Sequence, residues 1–194
     1  MSKLRFKYAT MNSGKSTALL QSAHNLKSIG KEVRYFTSAL DNRYGVGKIT
    51  SRIGIEADAV AIPKDDFSVL QSVIDEIYEG ADITALYIDE CQFLSTEQVD
   101  FLADIVDNCG VDVHCYGLRT DFEGNLFEGS KRLFEIADKL SELHNFCTCG
   151  KTAIMNARLV QSTDQVFIGG NDDYQSVCRL CHKKHVGKQN GYHQ

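Results

Sequence analysis

Apolar positions along this chain recur at two different periods, and each change of period marks an element. Leu4 to Tyr8 is a short apolar run that gives way to small and polar residues, which predicts a strand entering a loop. From Ser16 to Ile29 the apolar residues Ala18, Leu19, Ala23, Leu26 and Ile29 return at spacings of three and four, and Gly30 ends the run; this predicts a helix packed on a sheet. Val33 to Thr37 predicts a short strand. Asp41 to Thr50, with Asp41, Arg43 and two glycines, carries no period and predicts a loop, and Asp58 to Ile62 predicts a further strand. Asp65 and Asp66 precede Phe67, Val69, Leu70, Val73, Ile74 and Ile77, the pattern of an amphipathic helix with acidic residues in its first turn. Ile83 to Ile88 is almost wholly apolar and β-prone, as in a buried parallel strand.

Ser95 and Gln98 have the spacing of a capping box, and Val99, Leu102, Ile105 and Val106 continue it as a helix to about Asn108. Val111 to Tyr116 predicts another strand, and a helix from about Ser130 to Leu143 is expected to close the unit. Strand and helix alternate throughout, so the fold expected is an open α/β sheet, mainly parallel and flanked by helices, with a ligand at the carboxyl ends of its strands. Beyond Asn145 the texture shifts to cysteines, glycines and short β-prone runs, which predicts a small second domain. The boundaries expected are 1–144 and 145–194. No internal repeat and no low-complexity tract interrupts them.

Composition narrows the function classes. With 194 residues and 43% hydrophobic content the chain can bury a sizeable core. A net charge of −5 argues against a protein that grips a nucleic-acid backbone, which ordinarily presents a basic face. The N-terminus lacks a basic-then-apolar leader, and no apolar run approaches the roughly 18 residues of a membrane helix. A soluble, cytoplasmic protein is therefore expected, with no membrane partner. Seven cysteines in that setting read as candidate metal ligands before disulfides.

Three sites carry chemistry. Tyr8 to Thr17 matches the phosphate-loop pattern at Gly14, Lys15 and Ser16, but Ala9 stands where the first glycine belongs. Backbone amides from Asn12 to Ser16 can still converge on phosphate oxygens at a helix N-terminus, with Lys15 on the outer phosphates and the Ser16 hydroxyl on Mg²⁺. Asp89 and Glu90 end an apolar strand, where such proteins place an aspartate for Mg²⁺ and a proton acceptor. Asp41 and Arg43 could reach the phosphates from across the site, since a guanidinium fits phosphoryl oxygens in a bidentate way. Cys147 with Cys149 and Cys178 with Cys181 form two pairs able to close a tetrahedral, structural Zn²⁺ site, His182 being an alternative to Cys181. Cys91, Cys109 and Cys115 read as small core residues.

Together, Met11-Asn-Ser-Gly-Lys-Ser-Thr17, Asp41-Asn-Arg43-Tyr44, Asp89-Glu-Cys-Gln92-Phe93-Leu94, Tyr116-Gly-Leu118-Arg-Thr-Asp-Phe122, the cysteine pairs and Ile168-Gly-Gly-Asn-Asp-Asp-Tyr174 resemble the cellular-type (type II) thymidine kinases. The C-x-C pair and the Gly-Leu-Arg-Thr-Asp-Phe stretch are most similar to bacterial and phage members. The resemblance implies a RecA-like phosphate-loop sheet with a ribbon-like zinc lasso domain, and transfer of the ATP γ-phosphoryl to the 5′-hydroxyl of thymidine. By that similarity Glu90 is the general base. Ala9, Thr10, Met11, Asn12, Ser13, Gly14, Lys15, Ser16 and Thr17 hold ATP together with Arg43, Asp89 and Gln92. Met11, Phe93, Leu118, Phe122 and Phe127 line the thymidine pocket, and Val166, Ile168, Gly169 and Tyr174 belong to the lasso. A homotetramer and inhibition by thymidine triphosphate are also implied. The rival readings are an ATPase whose zinc ribbon contacts DNA, and a kinase for another deoxynucleoside.

Overall fold

Period-two alternation in the strands places two different sets of side chains on the two faces of one sheet, and this decides where the helices go. The computed structural model describes residues 1–41, 45–160 and 173–189. Its central sheet contains β1 (Leu4–Ala9), β2 (Glu32–Ser38), β5 (Val60–Ile62), β6 (Ile83–Asp89), β7 (Asp112–Leu118) and β8 (Lys139–Glu142) in the order β5-β2-β6-β7-β1-β8. Every neighbouring pair is parallel. In β6, Leu86 and Ile88 join the larger core, with Phe6, Val113 and Cys115 from adjacent strands. Ala85 and Tyr87 face the other way, into a smaller core with Val33 and Tyr116.

Helices α2 (Ser68–Tyr78), α3 (Thr96–Cys109) and α4 (Glu128–Ile136) cover the larger core through Leu70, Val73, Val99, Leu102, Ile105 and Leu133. Helix α1 (Lys15–Lys27) covers the smaller one with Leu19, Leu20 and Ala23. The capping box at the start of α3 forms as expected: Ser95 Oγ accepts from the Gln98 amide, and Gln98 Oε1 accepts from the Ser95 amide. Gln98 Nε2 also donates to the Pro63 and Asp66 carbonyls, so this fully buried side chain joins α3 to the loop before α2. None of the helices among the described residues is long and apolar enough to cross a membrane.

Three expectations need correction. The helix expected over 130–143 ends at Ile136; Ala137 is extended, and the chain continues as β8 along the open edge of β1. Its apolar spacing suits a helix, but the unpaired amides of β1 decide the outcome, and Asp138 reinforces it by accepting from the Leu4 amide at 2.7 Å. The loop expected over 41–50 contains β3 (Lys48–Thr50), which pairs antiparallel with β4 (Glu56–Asp58). The strand expected over 58–62 is thereby divided between β4 and β5, with Ala59 turned back to donate to the Gly47 carbonyl. Third, Asp65 and Asp66 precede α2 rather than occupying its first turn, and the Asp66 carboxylate accepts from the Ser68 amide.

The remaining described chain forms an antiparallel hairpin of β9 (Met155–Arg158) and β10 (Tyr174–Val177), followed by α5 (Arg179–Gln189). One face of the hairpin contributes Met155, Ala157 and Val177 to a small cluster with Ala153, Cys147, Cys178 and Cys181. The opposite face presents two cross-strand pairs, Asn156 with Ser176 and Arg158 with Tyr174. Both pairs reach the site.

Candidate functional site

The segment that matches the phosphate-loop pattern leaves β1 at Ala9 and enters α1 at Lys15. Asn12 and Gly14 both take left-handed backbone conformations, φ 62° and 78°, which turn successive amides inward as in an anion-binding nest. Glycine adopts this conformation freely and asparagine is among the side-chain residues that tolerate it best. No side chain caps α1, and its first turn carries no acidic residue, so its dipole and first amides are directed at an external anion. Lys15 is buried and donates from Nζ to the Thr10 carbonyl at 3.0 Å; Ser13 Oγ donates to the same carbonyl. Thr10 Oγ1 is buried with no hydrogen-bond partner among the described residues.

Two strands away, β6 delivers Asp89 and Glu90. Ser16 Oγ donates to Asp89 Oδ2 at 2.8 Å, joining the start of α1 to the end of β6 across β7. Burial, and then the neighbouring Glu90 carboxylate, push Asp89 up to about 7 against the opposing pull of Ser16 and Lys15. A buried carboxylate so costly to ionise, beside a hydroxyl, is a hard-oxygen donor set suited to Mg²⁺. Glu90 itself sits in the left-handed region at φ 52°, where a non-glycine residue is strained. Its carboxylate accepts from Gln92 Nε2 at 2.6 Å, and Gln92 Oε1 accepts from the Leu118 amide at 3.0 Å. Gly117 makes room for this tie, since a Cβ there would lie 2.6 Å from Gln92 Oε1 and 2.7 Å from Cys91 Sγ.

The late hairpin closes on the loop from the other side. Met11 donates its amide to Asn156 Oδ1 at 2.8 Å, while its carbonyl accepts from Asn145 Nδ2 and Ser176 Oγ. Arg158 lies over the Phe122 ring, and its guanidinium donates to the Tyr174 hydroxyl. Phe93 and Phe127 meet edge to face at 5.7 Å between ring centres. The sulfurs of Cys147, Cys149, Cys178 and Cys181 all lie within 4.8 Å of one another, with Cys149 and Cys178 3.6 Å apart. Tetrahedral Zn–S bonds of about 2.3 Å place sulfurs about 3.8 Å apart, so the cluster fits zinc. The amide of Cys149 holds the Cys147 thiol down to about 6, and the amide of Cys181 lowers Cys178. Cys181, donating chiefly to Cys178, is raised to about 12. Such a set can become four thiolates only around a cation.

The thymidine kinase family model matches residues 2–182 of this chain, a span containing the phosphate loop, the acidic strand end and all four clustered cysteines. The chain belongs to the thymidine kinase family. Curated relatives agree over their full lengths: the thymidine kinase of Vibrio cholerae is 48% identical and that of Vibrio parahaemolyticus 49%, each alignment covering 97% of this chain and 100% of the relative. The thymidine kinase of Haemophilus influenzae is 46% identical over the same shares.

Against this family background the structure brings together most of the expected residues and separates one. Cys181 joins the cysteine cluster; His182 does not, because its Nε2 donates to the Phe122 carbonyl at 2.6 Å. Met11, Phe127 and Tyr174 are buried, whereas Phe93, Leu118 and Phe122 remain partly exposed. Arg43, Val166, Ile168 and Gly169 lie outside the described residues. Sequence reasoning missed Asn145, Asn156, Ser176 and Arg158, which belong to no motif, and Arg52, whose guanidinium donates to Asn12 Oδ1 from the β3–β4 hairpin. Gln92, expected at the nucleotide, has an amide that spans Glu90 and Leu118.

Proposed function

We propose that this chain is an ATP-dependent thymidine kinase, transferring the γ-phosphoryl group of ATP to the 5′-hydroxyl of thymidine and releasing thymidine monophosphate and ADP. The observation that carries the reading is the 2.8 Å contact between Ser16 and Asp89, which unites a phosphate loop and an acidic strand end in a chain of this family. Lys15 and the loop amides from Thr10 to Thr17 neutralise the charge on the outer phosphates and hold them in line with the acceptor. Glu90, adjoining Asp89 and fixed by Gln92, accepts the proton of the 5′-hydroxyl as the bond to phosphorus forms. Ser16 and Asp89 would hold Mg²⁺, which supplies further charge neutralisation between the outer phosphates. Arg43 serves the transferred group by family resemblance. The aromatic residues Phe93, Phe122, Phe127 and Tyr174, with Met11 and Leu118, supply an apolar, aromatic surface for the base, and by family resemblance Val166, Ile168 and Gly169 serve it as well.

The four clustered cysteines hold a structural zinc with no position open for catalysis. Residues 1–144 and 145–194 act as a nucleotide-binding domain and a zinc lasso domain. The working form is a cytoplasmic homotetramer inhibited by thymidine triphosphate, a reading that rests on the family resemblance. The test is ADP release from Mg-ATP by the purified chain with each of a panel of nucleosides. Thymidine is expected to give the strongest stimulation, and Glu90→Gln to lower turnover at least about a hundredfold with both substrates still bound. ADP release indifferent to every nucleoside would replace the kinase reading with an ATPase.

A further inference from the structure

Burying an arginine is costly unless the fold uses its charge and its donors. Arg158 is 2% exposed and heads the largest fully buried side chains, although it lies on the short strand β9 rather than in the central sheet. Its guanidinium carbon is 3.8 Å from the centre of the Phe122 ring and 5.3 Å from that of Tyr174. Nε and Nη2 both donate to the Tyr174 hydroxyl, at 3.0 and 2.8 Å. Two donors from a planar group converging on one phenol oxygen fix the position of that oxygen, and so anchor the outer end of the ring. Helix α5 holds the backbone at both ends of the arrangement: His185 Nε2 donates to the Arg158 carbonyl at 2.7 Å, and His182 Nε2 to the Phe122 carbonyl at 2.6 Å.

We propose that Arg158 is the positioning residue for the nucleoside base, holding Phe122 and Tyr174 as one preformed aromatic surface; the inference rests on the kinase reading above. Phe122 is on the loop after β7, and Tyr174 opens β10 beyond a separate stretch of chain, so neither position determines the other. Without the guanidinium, each ring would have to be ordered anew when the flat, uncharged pyrimidine binds. That cost falls on thymidine affinity. It does not fall on the phosphoryl step, whose groups lie at the ends of β1 and β6.

The test is steady-state kinetics on the purified full chain, with zinc per chain measured in parallel. Arg158→Met is expected to raise the thymidine KM about tenfold, while turnover at saturating thymidine and the ATP KM stay within about twofold. Arg158→Lys, which restores the charge but cannot donate twice from a planar fork, should recover only part of that loss. Tyr174→Phe keeps the ring and removes the oxygen; alone it should raise the thymidine KM about fivefold, and added to Arg158→Met less than about twofold further, because both changes break the Arg158–Tyr174 hydrogen bonds. Should Arg158→Met be insoluble, Tyr174→Phe decides. An unmoved thymidine KM in Tyr174→Phe, losses that multiply in the double variant, or a fall in turnover with the thymidine KM unchanged would each overturn the role of Arg158. Wild-type protein that releases no ADP in response to thymidine would overturn the kinase reading itself, a result independent of these variants.

Discussion

The phosphate loop and the cysteine cluster face each other across one hairpin but are stabilised by different means. The loop grows out of β1 and α1 and stands on two cores that bury side chains from five of the six central strands. Among the described residues the cluster has behind it only Ala153, Ala157, Val177, Cys147 and Cys178 as buried apolar residues. A core that small cannot offset the entropy of ordering the chain around it, and a cation bound by four sulfurs can. On the zinc reading proposed above, one region keeps its shape without its ligand and the other owes its shape to one.

The largest effect that would break this contrast is metal removal. Chelation is expected to reduce thymidine-dependent ADP release to background while far-UV circular dichroism retains the signal of the central sheet and its helices, since structural zinc commonly contributes about 10–16 kcal/mol to its own domain alone. Returning zinc should restore activity at one ion per chain. Full activity in metal-free protein would show that the hairpin stands unaided. Next in size, Lys15→Met should lower kcat/KM for ATP about a thousandfold, with bound zinc and melting temperature almost unchanged, because it removes a charge from the loop but no part of either core. A comparable loss of zinc in that variant would mean that the two regions fold as one.

Asn156→Leu sharpens the comparison by cutting the link between them. It leaves the Met11 amide buried without its acceptor, which should cost about 1–3 kcal/mol of stability and raise the ATP KM about tenfold. Asn156→Asp keeps the acceptor and should recover most of the affinity; if both variants bind ATP as the wild type does, the hairpin does not position the loop. The smallest effect concerns the sheet alone. His114 is stacked on Tyr87, and its Nδ1 is buried without a partner among the described residues. Burial first, then Arg5 and Lys7, lower it from its ordinary value near 6.5 to about 4. The unfolded chain therefore binds the extra proton first, so stability is fully present above about pH 6.5 and is lost as pH falls towards 4. His114→Phe keeps the stack and should remove about 1–2 kcal/mol of that loss in urea titrations at pH 7 and pH 5. An unchanged acid profile would move the sensitivity to the thiolates of the cluster, where it would appear as zinc release.

What could be read from the sequence follows the same division. Strands β1, β2, β6 and β7, helices α1 to α3, the capping box and the loop's glycine and lysine were legible because each is specified within a few residues of itself. The cysteine pairs were legible because metal ligands need fixed spacing, although choosing Cys181 over His182 required seeing His182 engaged by the Phe122 carbonyl. The end of α4 was not legible. Apolar residues at 133, 136, 140 and 143 suit a helix equally well, and it is the open edge of β1, more than a hundred residues earlier in the chain, that makes a strand of 139–142. Asn145, Asn156, Ser176 and Arg158 escaped for a related reason: each acts on a partner far away in sequence, and no local pattern distinguishes a polar residue that holds a loop from one that faces water.

The bonds to Met11 also impose an order on synthesis. The chain emerges N-terminus first, so this loop leaves the ribosome before the other sites described, and the central sheet is complete once β8 has followed. The side chains that take up both peptide groups of Met11 are residues 145, 156 and 176. A nascent chain therefore carries this loop without the grip that fixes it until residues 145, 156 and 176 have been made, so a segment made before them is finished only after them.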